Sequence, residues 1–312
     1  MNDIAIQVSG LGRAFGEMWA VRGLDLEVRR GEIFGLVGPD GAGKTTTMRM
    51  LTGILAASEG TATVAGFSIQ GGEEEIKSRI SYMSQRFGLY GDLTVEENLR
   101  FYADLYEVPR SERVPQEGRL LGFSNLTPFR KRLARDLSGG MKQKLGLACA
   151  LIHKPEILFL DEPTNGVDPV SRRDFWRILY AMLKEGVTIF VSTAYLDEAE
   201  RCTRVGLMHE GRLIQCDTPQ KLKEGIPGLL LELETAQPRV AREALAARLG
   251  SNRVSLFGGK LHLYAAGEGE AERARAVLRE ASISVVGENT ITPSLEDVFI
   301  YQLTRDKEEA TA

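Results

Sequence analysis

Gly38-Pro39-Asp40-Gly41-Ala42-Gly43-Lys44-Thr45-Thr46 follows directly on the apolar run Ile33-Phe34-Gly35-Leu36-Val37, and this strand-to-loop junction decides how the rest of the 312 residues are read. The loop completes the pattern G-x-x-x-x-G-K-[ST]. Glycines let the backbone curl until successive N–H groups point inward at phosphate oxygens. Lys44 adds a point charge near the β- and γ-phosphates, and the hydroxyl of Thr45 suits Mg²⁺. Met48, Leu51, Thr52 and Leu55 continue at helical spacing, so the positive dipole end of a helix faces the anion. Strand, loop and helix occur in the order that a phosphate-binding loop requires.

Working outward, 43% hydrophobic and 26% charged residues describe an ordinary globular chain long enough for two domains. The formal net charge of -4 gives no basic footprint, so no nucleic acid is expected as the main partner. No secretory signal is read at the start, and no apolar run approaches the ~20 residues needed to cross a bilayer. Work at a membrane would then need another chain to span it. Cys149, Cys202 and Cys216 show no CxxC spacing, which argues against a structural zinc site.

Residues 4–8 and 24–28 alternate as antiparallel strands leading into 33–37. Between them stands Phe15, which reads equally as an aromatic platform for a base or as a buried strand-end residue. Further strands are expected at 61–65 and 80–84, the latter ending at Gln85. Thr94-Val95-Glu96-Glu97 is a capping box that opens a helix. A break over 109–115 and a second helical region make 88–136 a mostly helical insertion. Ile157-Leu158-Phe159-Leu160-Asp161-Glu162 is an apolar run ending in two carboxylates, as a strand buried on both faces should look. A helix over 170–184, a strand over 187–192, a short helix over 195–201 and a hairpin around Glu210-Gly211 follow. Ile226-Pro227-Gly228 marks a boundary, giving a first domain over 1–225 and a second over 226–304, with 305–312 as a solvated tail. The second domain reads β-α-β-β-α-β, a small ferredoxin-like α+β unit expected to aid dimerisation.

Asp161 is placed to hold Mg²⁺, and Glu162 beside it to polarise an attacking water. In Leu137-Ser138-Gly139-Gly140-Met141-Lys142-Gln143, Ser138 is a helix N-cap and the glycines permit close backbone approach, which makes a second phosphate-binding surface. With these motifs in this order the chain resembles the ATP-binding cassette ATPases over residues 4 to about 222. It carries a Walker A loop at 38–46, a Q-loop at Gln85, a signature at 137–143, a Walker B strand at 157–162 and a D-loop at Gly166-Val167-Asp168. Within that family Met83-Ser84-Gln85-Arg86-Phe87-Gly88-Leu89-Tyr90 and Pro293-Ser294-Leu295-Glu296-Asp297-Val298-Phe299 look like the daunorubicin-resistance type of drug and lipid exporter ATPases.

The resemblance implies an α/β P-loop NTPase cassette with an antiparallel β subdomain. It implies ATP and Mg²⁺ as cofactors, a second cassette (identical or different) and a membrane-spanning permease, at the cytoplasmic face of the membrane. ATP would contact Phe15, Gly38, Asp40, Gly41, Ala42, Gly43, Lys44, Thr45 and Thr46, with Ser138, Gly139 and Gly140 supplied by the other cassette. Thr45, Gln85 and Asp161 would serve the metal. Lys44, Gln85, Glu162 and Asp168 would serve hydrolysis and its communication, and residues 87–93 would face the permease.

Two positions depart from the family. Asp40 replaces the more usual Asn, either near the phosphates or turned away as a turn residue. Ala194, in Val191-Ser192-Thr193-Ala194-Tyr195-Leu196-Asp197-Glu198, stands in the switch-loop histidine's place and offers no side-chain donor. Loss of such a donor predicts turnover slowed ~10²–10³-fold with ATP binding kept. A slow hydrolase, a partner cassette with a complete site, and a substitute group all fit. A regulatory ATP-binding subunit and a soluble non-transport cassette ATPase are the rival functions.

Overall fold

The structure is a computed structural model that describes residues 3–85, 88–250 and 253–311, with side chains as far as Leu303. Phe87, named above in the partner-facing segment, lies outside the described residues. The chain divides into two compact units, Met1–Cys216 and Asp217–Ala312.

The first unit opens with the long antiparallel strands β1 (Ile4–Phe15) and β2 (Met18–Arg29). Both outrun the alternation seen in the sequence. Gly10 and Gly23 take positive φ and the pairing register shifts between Val8 and Leu11, so the period-2 pattern breaks mid-strand while the pairing continues. Next come β3 (Ile33–Val37), α1 (Lys44–Leu51), β4 (Glu59–Val64), β5 (Phe67–Ser68), α2 (Glu73–Arg79) and β6 (Ile80–Met83). The helix α2 was not foreseen. It buries Ile76 alone and depends on acidic residues in its first turn and Lys77 and Arg79 in its last, so there is no apolar periodicity to read.

The insertion supplies α3 (Val95–Leu105) and α4 (Arg110–Phe123), then 3₁₀ turns at Thr127–Phe129 and Ala134–Asp136. Thr94 and Glu97 form the expected reciprocal capping box. The break expected over 109–115 shrinks to Pro109, the N-cap of α4, because Pro115 lies inside that helix. Pro115 is solvent-exposed, so water can take up the carbonyl that loses its partner. The unit finishes with α5 (Gly139–Ala150), β7 (Ile157–Asp161), α6 (Pro169–Lys184), β8 (Thr188–Thr193), α7 (Leu196–Ala199), β9 (Arg204–His209) and β10 (Arg212–Asp217).

Its sheet runs β10-β9-β3-β8-β7-β6, with β6, β7, β8, β3 and β9 parallel neighbours. Every residue of β3 and of β7 is buried, as the apolar runs 33–37 and 157–160 require, and the carboxylate of Asp161 is buried with them at the end of β7. The consequence is positional. Val37 pairs with Thr193 and Asp161 with Ser192, so the carboxyl ends of strands far apart in sequence open side by side, where such sheets bind ligands.

The second unit contains α8 (Pro219–Glu224), β11 (Leu229–Thr235), α9 (Pro238–Leu249), β12 (Val254–Phe257), β13 (Lys260–Ala265), α10 (Glu268–Glu280), β14 (Val285–Ile291) and α11 (Leu295–Thr311). The antiparallel order β12-β13-β11-β14 is the split β-α-β of a ferredoxin-like unit. Leu231, Leu233, Leu261 and Leu263 turn one face toward Ala241, Leu245, Ala274 and Leu278 of α9 and α10. The unit begins at Asp217 rather than at residue 226, because α8 packs against α11. The expected tail is corrected too, since α11 runs on to Thr311 through Asp306-Lys307-Glu308-Glu309-Ala310, mostly good helix formers.

Candidate functional site

Two of the loop's glycines are sterically compelled. A Cβ on Gly38 would lie 2.1 Å from the Met208 carbonyl oxygen, and one on Gly43 would lie 2.4 Å from that of Ala20 at a φ of +104°. Either Gly→Ala change therefore forces the loop out of place, and a lowered unfolding midpoint is the expected result by thermal melting. Gly43 also caps α1 without a side-chain bond, which leaves the first-turn N–H groups to an anion.

Lys44 is 4% exposed. Its Nζ donates to the carbonyls of Gly38 (2.7 Å) and Pro39 (3.0 Å) and pairs with Glu162 Oε1 at 3.2 Å. Glu162 takes a left-handed φ of 48°, a strained value for a side-chain-bearing residue. Its N–H donates to Ser192 Oγ (3.1 Å) and Ser192 O (3.2 Å), and its Oε2 accepts from Asn165 Nδ2 at 3.4 Å. Asp161 is buried beside it. Its Oδ1 accepts from Thr45 Oγ1 (3.0 Å) and Ser192 Oγ (2.7 Å), and its Oδ2 accepts from Tyr82 OH at 3.1 Å. Burial, then the charge of Asp161, pushes the Tyr82 phenol up to about 12, so it remains a donor at neutral pH.

A cavity of about 570 Å³ opens over these groups, its wall including Phe15, Met18, Asp40, Gly41, Ala42, Gly43, Lys44, Thr45, Thr46, Gln85, Glu162 and Asn165. Phe15 is 46% exposed with Arg13 over its ring at 4.8 Å, so the buried strand-end reading falls. Asp40 is an exposed residue of the turn and forms part of the wall. Oxygen donors suit a hard cation such as Mg²⁺, and the set fits. Thr45 spends its hydroxyl proton on Asp161, which leaves its oxygen lone pairs to a metal, and exposed Gln85 borders the same space.

Ser138, Gly139, Gly140, Asp168 and Ala194 are not in that wall. Ser138 caps α5 by accepting from Met141 N at 3.3 Å, and Ser138 and Gly139 are exposed. Asp168 caps α6 through the N–H groups of Ser171 (2.9 Å) and Val170 (3.1 Å), and these bonds, that of Ser171 foremost, hold its carboxyl below the usual range. Ala194 follows β8 as an exposed residue. Around it, Thr193 and Thr164 both donate to the buried Glu198, which Arg172 approaches at 3.4 Å. Tyr195 lies under the Arg172 guanidinium at 4.7 Å, its hydroxyl 3.5 Å from Asn165 Oδ1. The sequence reading missed Tyr82, Asn165, Ser192 and this Glu198 network. A polar residue three positions beyond Glu162 could have flagged Asn165. Ser192 and Tyr82 become visible only with the strand pairing.

Residues 21–165 match the family model described as ABC transporter. The probable multidrug ABC transporter ATP-binding protein YbhF of Escherichia coli (strain K12) is 44% identical over 305 residues, 96% of this chain and 52% of that protein. The daunorubicin resistance ATP-binding protein DrrA2 of Streptomyces coeruleorubidus is 33% identical over 100% of this chain and 98% of its own length. The chain belongs to the ABC transporter family. This ABC cassette is also 35% identical to the Nod factor export ATP-binding protein I of Rhizobium leguminosarum bv. viciae, over 99% of the one and 98% of the other. It spans about half the length, 52%, of its Escherichia coli relative. Among solved structures, cbiO1 from Clostridium perfringens, part of the ABC transporter complex cbiONQ, aligns with a TM-score of 0.67 at 26% identity over 80% of this cassette and 96% of that chain. Among the described residues no helix is long and apolar enough to cross a membrane.

Proposed function

We propose that this cassette binds and hydrolyses ATP, and that a separate membrane-spanning permease uses the cycle to export a drug-like or lipid-like molecule. One observation carries the reading: the phosphate-type loop, Lys44, Thr45 and Glu162 line one cavity at the carboxyl end of the parallel sheet, and buried Asp161 accepts a hydrogen bond from Thr45 behind its wall. The export assignment leans on what the relatives are named for, multidrug and daunorubicin resistance and Nod factor export.

In this reading loop N–H groups and Lys44 hold the phosphates, and Phe15 stacks on the base. Thr45, Gln85 and Asp161 hold Mg²⁺, which when bound neutralises charge on the phosphate oxygens. Glu162 accepts a proton from the attacking water at a carboxylate oxygen. Ser138 and Gly139 are exposed, and with the buried Gly140 they stand apart from this cavity, which suits delivery of the signature to a second cassette's nucleotide. Asp168 then carries communication between the two. Replacing Phe15 by Ala removes a stacking face worth about 1–3 kcal/mol, so ATP affinity falls roughly 5–150-fold. Equilibrium titration with a fluorescent ATP analogue reads this directly, with unchanged affinity as the contrary result.

The test of the whole reading is purification of the tagged protein from detergent-solubilised membranes of its host. Recovery with a multi-spanning protein, and ATP hydrolysis by the complex, is expected at the cytoplasmic side. Recovery with ribosomes at physiological salt would instead favour the non-transport cassette. Ala194 favours a second reading, a regulatory subunit that binds ATP and pairs without useful turnover. A complex that binds ATP but hydrolyses none would select it.

A further inference from the structure

Asp161 is held by three hydroxyls whose arrangement is uneven. Thr45 and Ser192 both bond Oδ1, at 3.0 and 2.7 Å, whereas Oδ2 is held by Tyr82 at 3.1 Å. Torsion about an aspartate's terminal bond is broad, so two donors on one oxygen leave the other free to swing. A donor on the second oxygen removes that freedom. Tyr82 is well placed to be such a donor. Its ring packs against the buried core, and its strand β6 pairs in register with β7, Tyr82 opposite Phe159 and Met83 opposite Leu160. The same hydroxyl also interacts with the side chain of Arg49, in the last turn of α1. One phenol thus meets groups from the helix that follows the phosphate loop and from the strand that ends in the metal carboxylate. It does so from the strand that leads, three residues on, to Gln85.

We propose that Tyr82 is a positioning residue for the magnesium site, fixing the carboxylate plane of Asp161 through Oδ2 so that Thr45 and Asp161 present their oxygens in one arrangement. The inference rests on the ATP-binding reading above. Tyr82 does not line the nucleotide cavity and acts through Asp161. Groups that orient metal ligands in this way change metal affinity by 10–100-fold when removed.

The experiment compares the full chain with Tyr82→Phe, which keeps the ring and its packing and deletes the hydroxyl. A fluorescent ATP analogue at fixed concentration is titrated with Mg²⁺, and a parallel titration of the analogue is run in EDTA. Tyr82→Phe is expected to raise the Mg²⁺ concentration at half-saturation about 10-fold, with affinity in EDTA unchanged. An unaltered Mg²⁺ requirement overturns the proposal. An equal loss in both arms also overturns it, because a merely structural role would weaken binding whether or not metal is present. If the native chain binds no analogue in either arm, the ATP-binding reading fails instead, and that outcome is recognisable without the variant.

Discussion

Glu162→Gln lowers steady-state ATP turnover by about 10²–10⁴-fold while ATP binding persists. The side chain is held for its task by features that Gln largely keeps. Its backbone sits at a φ of 48°, its N–H is taken by Ser192, and Asn165 bonds its outer oxygen. What Gln loses is the charge facing Lys44 and the capacity to accept a proton. Shape and packing survive, so the loss falls on chemistry rather than on folding. Phosphate release measures turnover, and analogue titration measures binding. Because the parent is expected to be slow, the substitution is made in the native chain and again beside Ala194→His, where the span is wider. ATP should then accumulate on a paired cassette, visible as a dimer by size exclusion. A variant that keeps turnover within a few-fold of its parent would remove Glu162 from the reaction.

Ala194→His raises turnover by about 10²–10³-fold, the scale of one transition-state hydrogen-bond donor. The local frame for the imidazole is already fixed. Thr193 closes β8 in register with Val37, the last residue before the phosphate loop, and Glu198 ties down both Thr193 and Thr164. Position 194 is exposed, so a larger side chain meets no packed core there. Unchanged turnover would mean that another group supplies the donor. Tyr195 is the first to test by Tyr195→Phe, since its hydroxyl lies 3.5 Å from the Asn165 that bonds Glu162.

The phosphate loop, the Walker B run and the β-α-β-β-α-β unit were legible because each depends on local chemistry. Gly38 and Gly43 mark backbone approaches that no Cβ allows, the sequence 157–160 is apolar because both sheet faces are covered, and the period changes from 2 to 3.6 where β11 gives way to α9 and β13 to α10. The parts that were not legible depend on pairing across long separations. Ser192 meets Asp161 across the β7–β8 register, and Tyr82 reaches the same carboxylate from β6, two relations that no spacing along the chain encodes. Helix α2 escaped because it buries one residue, and the extent of β1 and β2 escaped because their register shifts interrupt the alternation. The place of α8 with the second unit follows from its packing on α11, which lies some seventy residues away in sequence.

The most direct test of the central claim is calorimetric titration of ATP, in magnesium buffer, into the purified chain and into Lys44→Ala. Lys44 is buried beneath the loop, bonded to the carbonyls of Gly38 and Pro39 and paired with Glu162. The account predicts one saturable site per chain, with affinity lowered by roughly ten-fold or more in Lys44→Ala, the loss of one charge-assisted phosphate bond. No saturable binding to the native chain, or equal binding by the two proteins, would contradict it.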